Sequence, residues 1–186
     1  MERIDYNFDE NYNENTFVNI EPGIIENMYL SDVKVSEEDN NSYIEYTFSD
    51  IKDTFKVNRR YYEPKIGGFI KNEDDLYKDS VKKKNIIANI SRNIIGESYS
   101  ITGVKTYKDL IRVAAADLKK VIPNKILVRV VVVLNNDNFA TLRSFVPVIE
   151  NMNVNPSKLK LNRYDKLVSS DNKSSGLKES LENSWD

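Results

Sequence analysis

Apolar and polar residues alternate with a period of two in "YIEYTF" at 43–48, which sets Ile44, Tyr46 and Phe48 on one face and Tyr43, Glu45 and Thr47 on the other. That period is the mark of a half-buried strand. The preceding stretch "IIENMYLSDVKV" predicts another strand, with a bulge where the alternation slips between Leu30 and Val33. After a turn around "SDIKD", the segment "TFKVNRRYY" turns Phe55 and Val57 inward and Thr54, Lys56 and Asn58 outward, and "EPKIGG" ends it. The period then lengthens. In "NEDDLYKDSVKKKNIIANISRNIIG", Ile86, Ile87, Ile90 and Ile94 recur at helical spacing, acids fill the first turn and Gly96 marks the stop. A second helix follows, with Thr106 as N-cap, Asp109 three residues on, and a stripe of Leu110, Ile111, Ala114, Leu118 and Val121. Finally, "KILVRVVVVLNNDNFATLRSFVPVIE" predicts a hairpin: a strand through Leu134, the turn "NNDN", and a returning strand from Phe139 that reaches its end or an edge at Pro147.

These elements divide the chain into a flexible acidic arm over 1–22, a folded domain over 23–152, a linker over 153–176 with a short strand or arm near Lys158 to Leu161, and a separate tail over 177–186. The order β-β-β-α-α-β-β is mainly β with a helical insert. It is the order of a five-stranded OB-fold-like Greek-key barrel, whose exposed sheet face commonly binds single-stranded nucleic acid or oligosaccharide. A split α+β sandwich produces the same string.

Composition narrows the chemistry. The chain has neither cysteine nor histidine, which removes thiolate zinc sites, thiol nucleophiles, histidine general bases and every histidine-dependent triad. The carboxylates of "NEDDLYKD" point around a helical first turn rather than converging, "IGG" lacks the lysine and hydroxyl of a phosphate loop, and "NNDN" lacks the length and the closing glutamate of a calcium loop. A non-enzyme without cofactor or metal is therefore the expectation. The N-terminus has acids where a signal peptide has bases, and no apolar run approaches the ~20 residues of a membrane span. The expected location is the cytoplasm, away from membranes.

The net charge of −2 hides a segregation. Residues 1–50 contain 2 basic against 13 acidic residues, 51–170 contain 23 against 12, and 171–186 contain 2 against 4. A basic middle between acidic ends suggests an anionic ligand for the middle. Binding a single strand needs cations along the backbone path and flat side chains for bases to stack on. "KVNRRYYEPK" concentrates Lys56, Arg59, Arg60, Tyr61, Tyr62 and Lys65 at the end of the third strand. On the hairpin, Arg129 interrupts an aliphatic strand, and Phe139, Arg143 and Phe145 share one parity of its partner with Thr141. The competing assignment makes these phenylalanines core and these arginines rim. "VKKKN" at 81–85 is a solvated helix face.

The layout "EPGIIENMYLSDVKV…SYIEYTFSDIKDTFKVNRRYYEP", a helical insert, "NKILVRVVVVLNNDNFATLRSFVPVIEN" and a separate acidic tail resembles the OB-fold single-stranded DNA-binding proteins of bacteriophages. The resemblance covers roughly residues 20–152 and the tail. It implies a non-enzymatic protein of viral DNA replication and recombination in the host cytoplasm, with single-stranded DNA as partner and a tail that recruits replication proteins. "ESLENSWD" departs from such tails in its few acids and in placing Asp186 after the aromatic residue. Leu177, Leu181 and Trp185 fall at i, i+4 and i+8, one apolar stripe of a short amphipathic helix that either docks on a partner or covers this protein's own barrel. A homo-oligomer is compatible with this picture. The alternative is a virion or assembly protein that uses its β-domain as scaffold; carbohydrate or peptide binding on the same barrel face is a third reading.

Overall fold

The computed structural model describes residues 21–38 and 41–167. It is mainly β: six antiparallel strands and two helices follow in the order β1 (Gly23–Ser36), β2 (Tyr43–Asp50), β3 (Lys56–Tyr62), α1 (Glu73–Ile95), α2 (Tyr107–Val121), β4 (Leu127–Leu134), β5 (Ala140–Leu142) and β6 (Ile149–Asn151). The sheet order is β3-β2-β1-β4-β5, and β6 also pairs with β4.

The expected alternation governs β2, where Ile44, Tyr46 and Phe48 are fully buried. β1 is long because it serves two neighbours, and it bends twice to do so. Its register shifts between Leu30 and Asp32 against β2, inside the stretch where the alternation slips, and between Ile25 and Met28 against β4, where Asn27 takes a positive φ of 57°. Asp50 closes the β2–β3 turn: its Oδ1 accepts from the amides of Thr54 at 2.7 Å and Phe55 at 3.0 Å.

Both helices begin on a side-chain cap. Asn72 accepts from the Asp75 amide at 2.8 Å, and Thr106 accepts from the Asp109 amide at 3.1 Å. α1 ends at Gly96, whose amide bonds the Arg92 carbonyl. The apolar stripes Ile86, Ile87, Ile90 and Ile94 of α1, and Leu110, Ile111, Ala114 and Leu118 of α2, form one core with the inner face of the sheet. Each fully buried isoleucine among them contributes about 1.5–3 kcal/mol.

Two expectations are corrected here. The hairpin's returning strand is not continuous, so the sheet has six strands rather than five. β5 pairs Leu142 with Val132 and β6 pairs Ile149 with Val130, so six residues, 143–148, stand opposite Val131 alone. Val131 still satisfies both of its backbone groups, accepting from the Arg143 amide at 3.0 Å and donating to the Val148 carbonyl at 2.9 Å. A wide bulge thus projects from the strand where an unbroken strand was expected. Nor does the backbone close a barrel. No ladder joins β3 to β5 among the described residues; side chains span the seam instead, with Thr141 Oγ1 donating to Asn58 O at 2.7 Å, Arg59 Nη1 to Leu142 O at 2.7 Å and Tyr61 OH to Arg143 O at 2.8 Å.

The stretch 153–167, expected as linker, packs against the domain. Leu159 lies on Val131 and Val133, covering the outer face of β4. Glu150 fixes its start by accepting from Ser157 Oγ at 2.6 Å and the Lys158 amide at 2.8 Å, and the Leu134 amide donates to Lys166 O at 2.7 Å. This strap explains why "VRVVVV" reads as continuously apolar: β4 is buried on both faces. The folded domain therefore extends beyond residue 152, with packed contacts as far as Lys166. The tail residues Leu177, Leu181 and Trp185, and the arm over 1–20, lie outside the described residues.

Candidate functional site

The outer face of β2 and β3 is polar and aromatic. Cross-strand register brings Tyr43 to Tyr62, Glu45 to Arg60 and Thr47 to Asn58. The rings of Tyr43 and Tyr62 meet edge-on with centroids 5.5 Å apart, and the Arg60 guanidinium lies 4.9 Å above the Tyr43 ring. Arg60 is also bonded through Nε to Glu45, a carboxylate only 6% exposed. That bond holds the guanidinium firmly protonated, its pKa raised first of all by Glu45. The charge of Arg60 is thus largely matched within the sheet.

Beside this face a concavity of about 340 Å³ opens between β3 and the tip of the β4–β5 hairpin, lined by Asn58, Arg59, Arg60, Tyr62, Asn135 and Thr141 together with Glu45. A second, of about 280 Å³, continues between the 143–148 bulge and the strap and is lined by Phe145, Tyr164, Asp165 and Lys166 among others. Arg59 and Asn135 line both. The two therefore form one groove that crosses the β3–β5 seam, with four cations in its walls (Arg59, Arg60, Arg143, Lys166) against two carboxylates (Glu45, Asp165).

The predicted binding residues divide sharply. Lys56 and Arg60 are exposed on the outer face, Tyr62 is 44% exposed, and Arg59 is half-buried at the junction. Lys65 lies exposed beyond β3, 4.0 Å from Glu63. Phe139 is 68% exposed beside the hairpin tip, whereas Phe145 is half-buried under the Arg143 guanidinium at 4.8 Å.

Three residues expected on an accessible face are enclosed. Tyr61 is in the core because it shares parity with Val57, and its hydroxyl is committed to the Arg143 carbonyl. Arg129 is buried on the outer face of β4, donating to Glu26 at 2.8 Å, Glu150 at 3.2 Å and the Val154 carbonyl at 2.9 Å. Glu26 first and then Glu150 raise its pKa. Arg143 is 1% exposed and shares two hydrogen bonds with Asp165, while the Pro147 and Lys160 carbonyls accept at 3.0 and 2.8 Å. These two arginines hold the strap and the bulge in place. An arginine in an otherwise aliphatic strand signals such a buried pair as readily as a binding face.

No family model, curated protein or solved structure matches the chain.

Arg59 differs from its neighbours in its partners. Among the described residues its guanidinium donates to a carbonyl, that of Leu142, and no carboxylate pairs with it. Lys83 of α1, its pKa lowered first by burial and its ammonium paired with Asp79 at 3.9 Å, is close enough for its charge to interact with that of Arg59. A half-buried guanidinium without a carboxylate, in the floor of a groove, is a ready partner for an anion. Sequence reasoning missed Tyr43, Asn135, Tyr164 and Lys166. Pairing the β2–β3 hairpin places Tyr43 beside Tyr62, but nothing periodic in 153–167 announces that the strap returns to the groove. Among the described residues no cluster of His, Cys, Asp or Glu is arranged for a metal, and no helix is long and apolar enough to cross a membrane.

Proposed function

We propose that this chain is a non-enzymatic, sequence-tolerant single-stranded DNA-binding protein built on an OB-fold-like barrel. The observation that carries the reading is the groove across the β3–β5 seam, where Arg59, which pairs with no carboxylate among the described residues, lines both halves, with the exposed ring of Tyr62 in one and that of Tyr164 in the other. Cations that follow a backbone and rings that accept any base are what sequence-tolerant binding requires. The strand order supports it. With the side-chain seam counted as a junction, β3-β2-β1-β4-β5 becomes cyclic, the order of the five-stranded Greek-key barrel, with both helices inserted between the third and fourth strands. A role in viral replication or recombination follows the layout resemblance alone.

The test is fluorescence anisotropy with a labelled dT oligonucleotide against a duplex of equal length. Preferential binding of the single strand, weakening steeply with salt, is expected; equal or absent binding at low salt ends the proposal. One feature favours the interaction-protein reading instead. Phe69 is completely exposed just after the Gly67–Gly68 turn, and Ile66 at 59% and, on α1, Tyr77 at 72% are exposed as well. If Phe69→Ser abolishes a self-association or partner contact in a protein that ignores oligonucleotides, that second reading replaces the first.

A further inference from the structure

The strap that crosses β4 ends in a turn whose construction exceeds what packing requires. Asn162 and Asp165 hold each other across it: the Asn162 amide donates to Asp165 Oδ2 at 2.8 Å, and the Asp165 amide donates to Asn162 O at 3.0 Å. The Tyr164 amide donates to Asn162 Oδ1 at 2.9 Å. Asp165 is in turn locked to the buried Arg143, with Arg143 Nε donating at 2.8 Å. Side chains at 1% and 0% exposure make that lock, so the turn is anchored to the interior rather than lying loose on the surface.

What the anchored turn displays is an aromatic ring. Tyr164 is 71% exposed and lines the second half of the groove together with Phe145. The Arg163 guanidinium lies 4.8 Å from the ring centroid and donates to the Tyr164 hydroxyl at 2.6 Å. A large ring left in water forgoes burial; held rigid with a cation on one side, it is prepared for a flat ligand on the other. Lys166, two residues on, is tied to the hairpin tip through Asn138 Oδ1 at 2.8 Å and Asn135 O at 3.1 Å. These two bonds join the strap to the hairpin tip.

We infer that the strap is part of the binding machinery, and that Tyr164 is a base-stacking platform on the far side of the seam from Tyr62. Asp165 and Arg143 are positioning residues that hold this platform in the groove. The inference rests on the proposed single-strand function. A strand crossing the seam lays one base on Tyr62 and a later one on Tyr164, with an intervening phosphate at Arg59, which lines both halves.

The experiment uses the full-length protein with a dT oligonucleotide carrying 5-iododeoxyuridine, crosslinked by near-ultraviolet light and mapped by mass spectrometry, alongside anisotropy titrations of Tyr164→Ala and Tyr164→Phe. Crosslinks at Tyr164 are expected. Tyr164→Ala should weaken binding roughly 5- to 150-fold, the equivalent of one stacked base, while Tyr164→Phe, which keeps the ring, stays within about threefold of wild type. Because the residue is exposed, circular dichroism should show Tyr164→Ala folded. If the wild type binds the strand but the strap yields no crosslink and Tyr164→Ala binds normally, the platform is refuted and the single-strand function stands. If the wild type ignores the strand at low salt, both fall together.

Discussion

Substituting Asp165 removes the partner of the most deeply enclosed cation in the domain. Arg143 and Asp165 side chains are 1% and 0% exposed, and two parallel hydrogen bonds join them. In Asp165→Ala the guanidinium keeps the Pro147 and Lys160 carbonyls but loses its only counter-charge among the described residues, and the Asn162 amide loses an acceptor. Leaving one member of a buried pair uncompensated costs about 3–5 kcal/mol. For a domain of this size each kcal/mol lowers Tm by roughly 2–4 °C, so a fall of about 6–20 °C is expected. Urea unfolding followed by circular dichroism measures the difference directly. The double substitution Arg143→Met/Asp165→Leu removes both charges together and should recover much of the loss, because two apolar groups of similar volume need no counter-charge. If Asp165→Ala costs less than about 1 kcal/mol, the pair is not holding the strap, and the reasoning from enclosure to stability fails.

The strap and the bulge also mark where the sequence stopped being informative. Local signals were reliable: the alternation of β2, the slip in β1, the cap at Thr106, the acids in the first turn of α1 with Gly96 at its end, and the isoleucine stripe all depend on neighbours within one element. The bulge depends on Arg143 finding Asp165, and the strap depends on Leu159 reaching Val131 and Val133. Such partners lie 22 or more residues apart and follow no period. An unbroken strand from Phe139 to an end or edge at Pro147 and a linker after residue 152 are therefore the natural readings of the local pattern, and both are incomplete. The same gap affected the site. Arg59 and Arg60 are adjacent and equivalent in the sequence, but β3 turns one toward the seam and the other onto Glu45.

Further outcomes follow from particular residues. Arg59→Ala should weaken single-strand binding across all sequences and reduce the slope of log affinity against log salt by about one, while Lys78→Ala, on the exposed face of α1, leaves both unchanged. Thr106→Ala should cost about 1 kcal/mol in chemical unfolding, since the Asp109 amide loses its cap. Burial raises the pKa of Tyr46, Tyr61 and Tyr107. Their protonated forms are favoured in the folded state, so the stability they contribute is complete below pH ~10 and is lost as pH rises above it. An ultraviolet titration should show these phenols ionising only as the protein unfolds, well after the exposed tyrosines. Simultaneous titration of all 11 tyrosines near pH 10 in a protein still folded would contradict their burial.

The central claim is that a single strand occupies the groove across the β3–β5 seam. Hydrogen–deuterium exchange with and without a saturating dT oligonucleotide tests it most directly. Protection is predicted at 56–62, at the hairpin tip and bulge over 135–148, and at the strap over 160–167, with α2 unchanged. Protection centred instead on the cavity at the C-terminal end of α1, around Arg92, Lys125 and Asn153, or no protection in a protein that binds the strand, would contradict it.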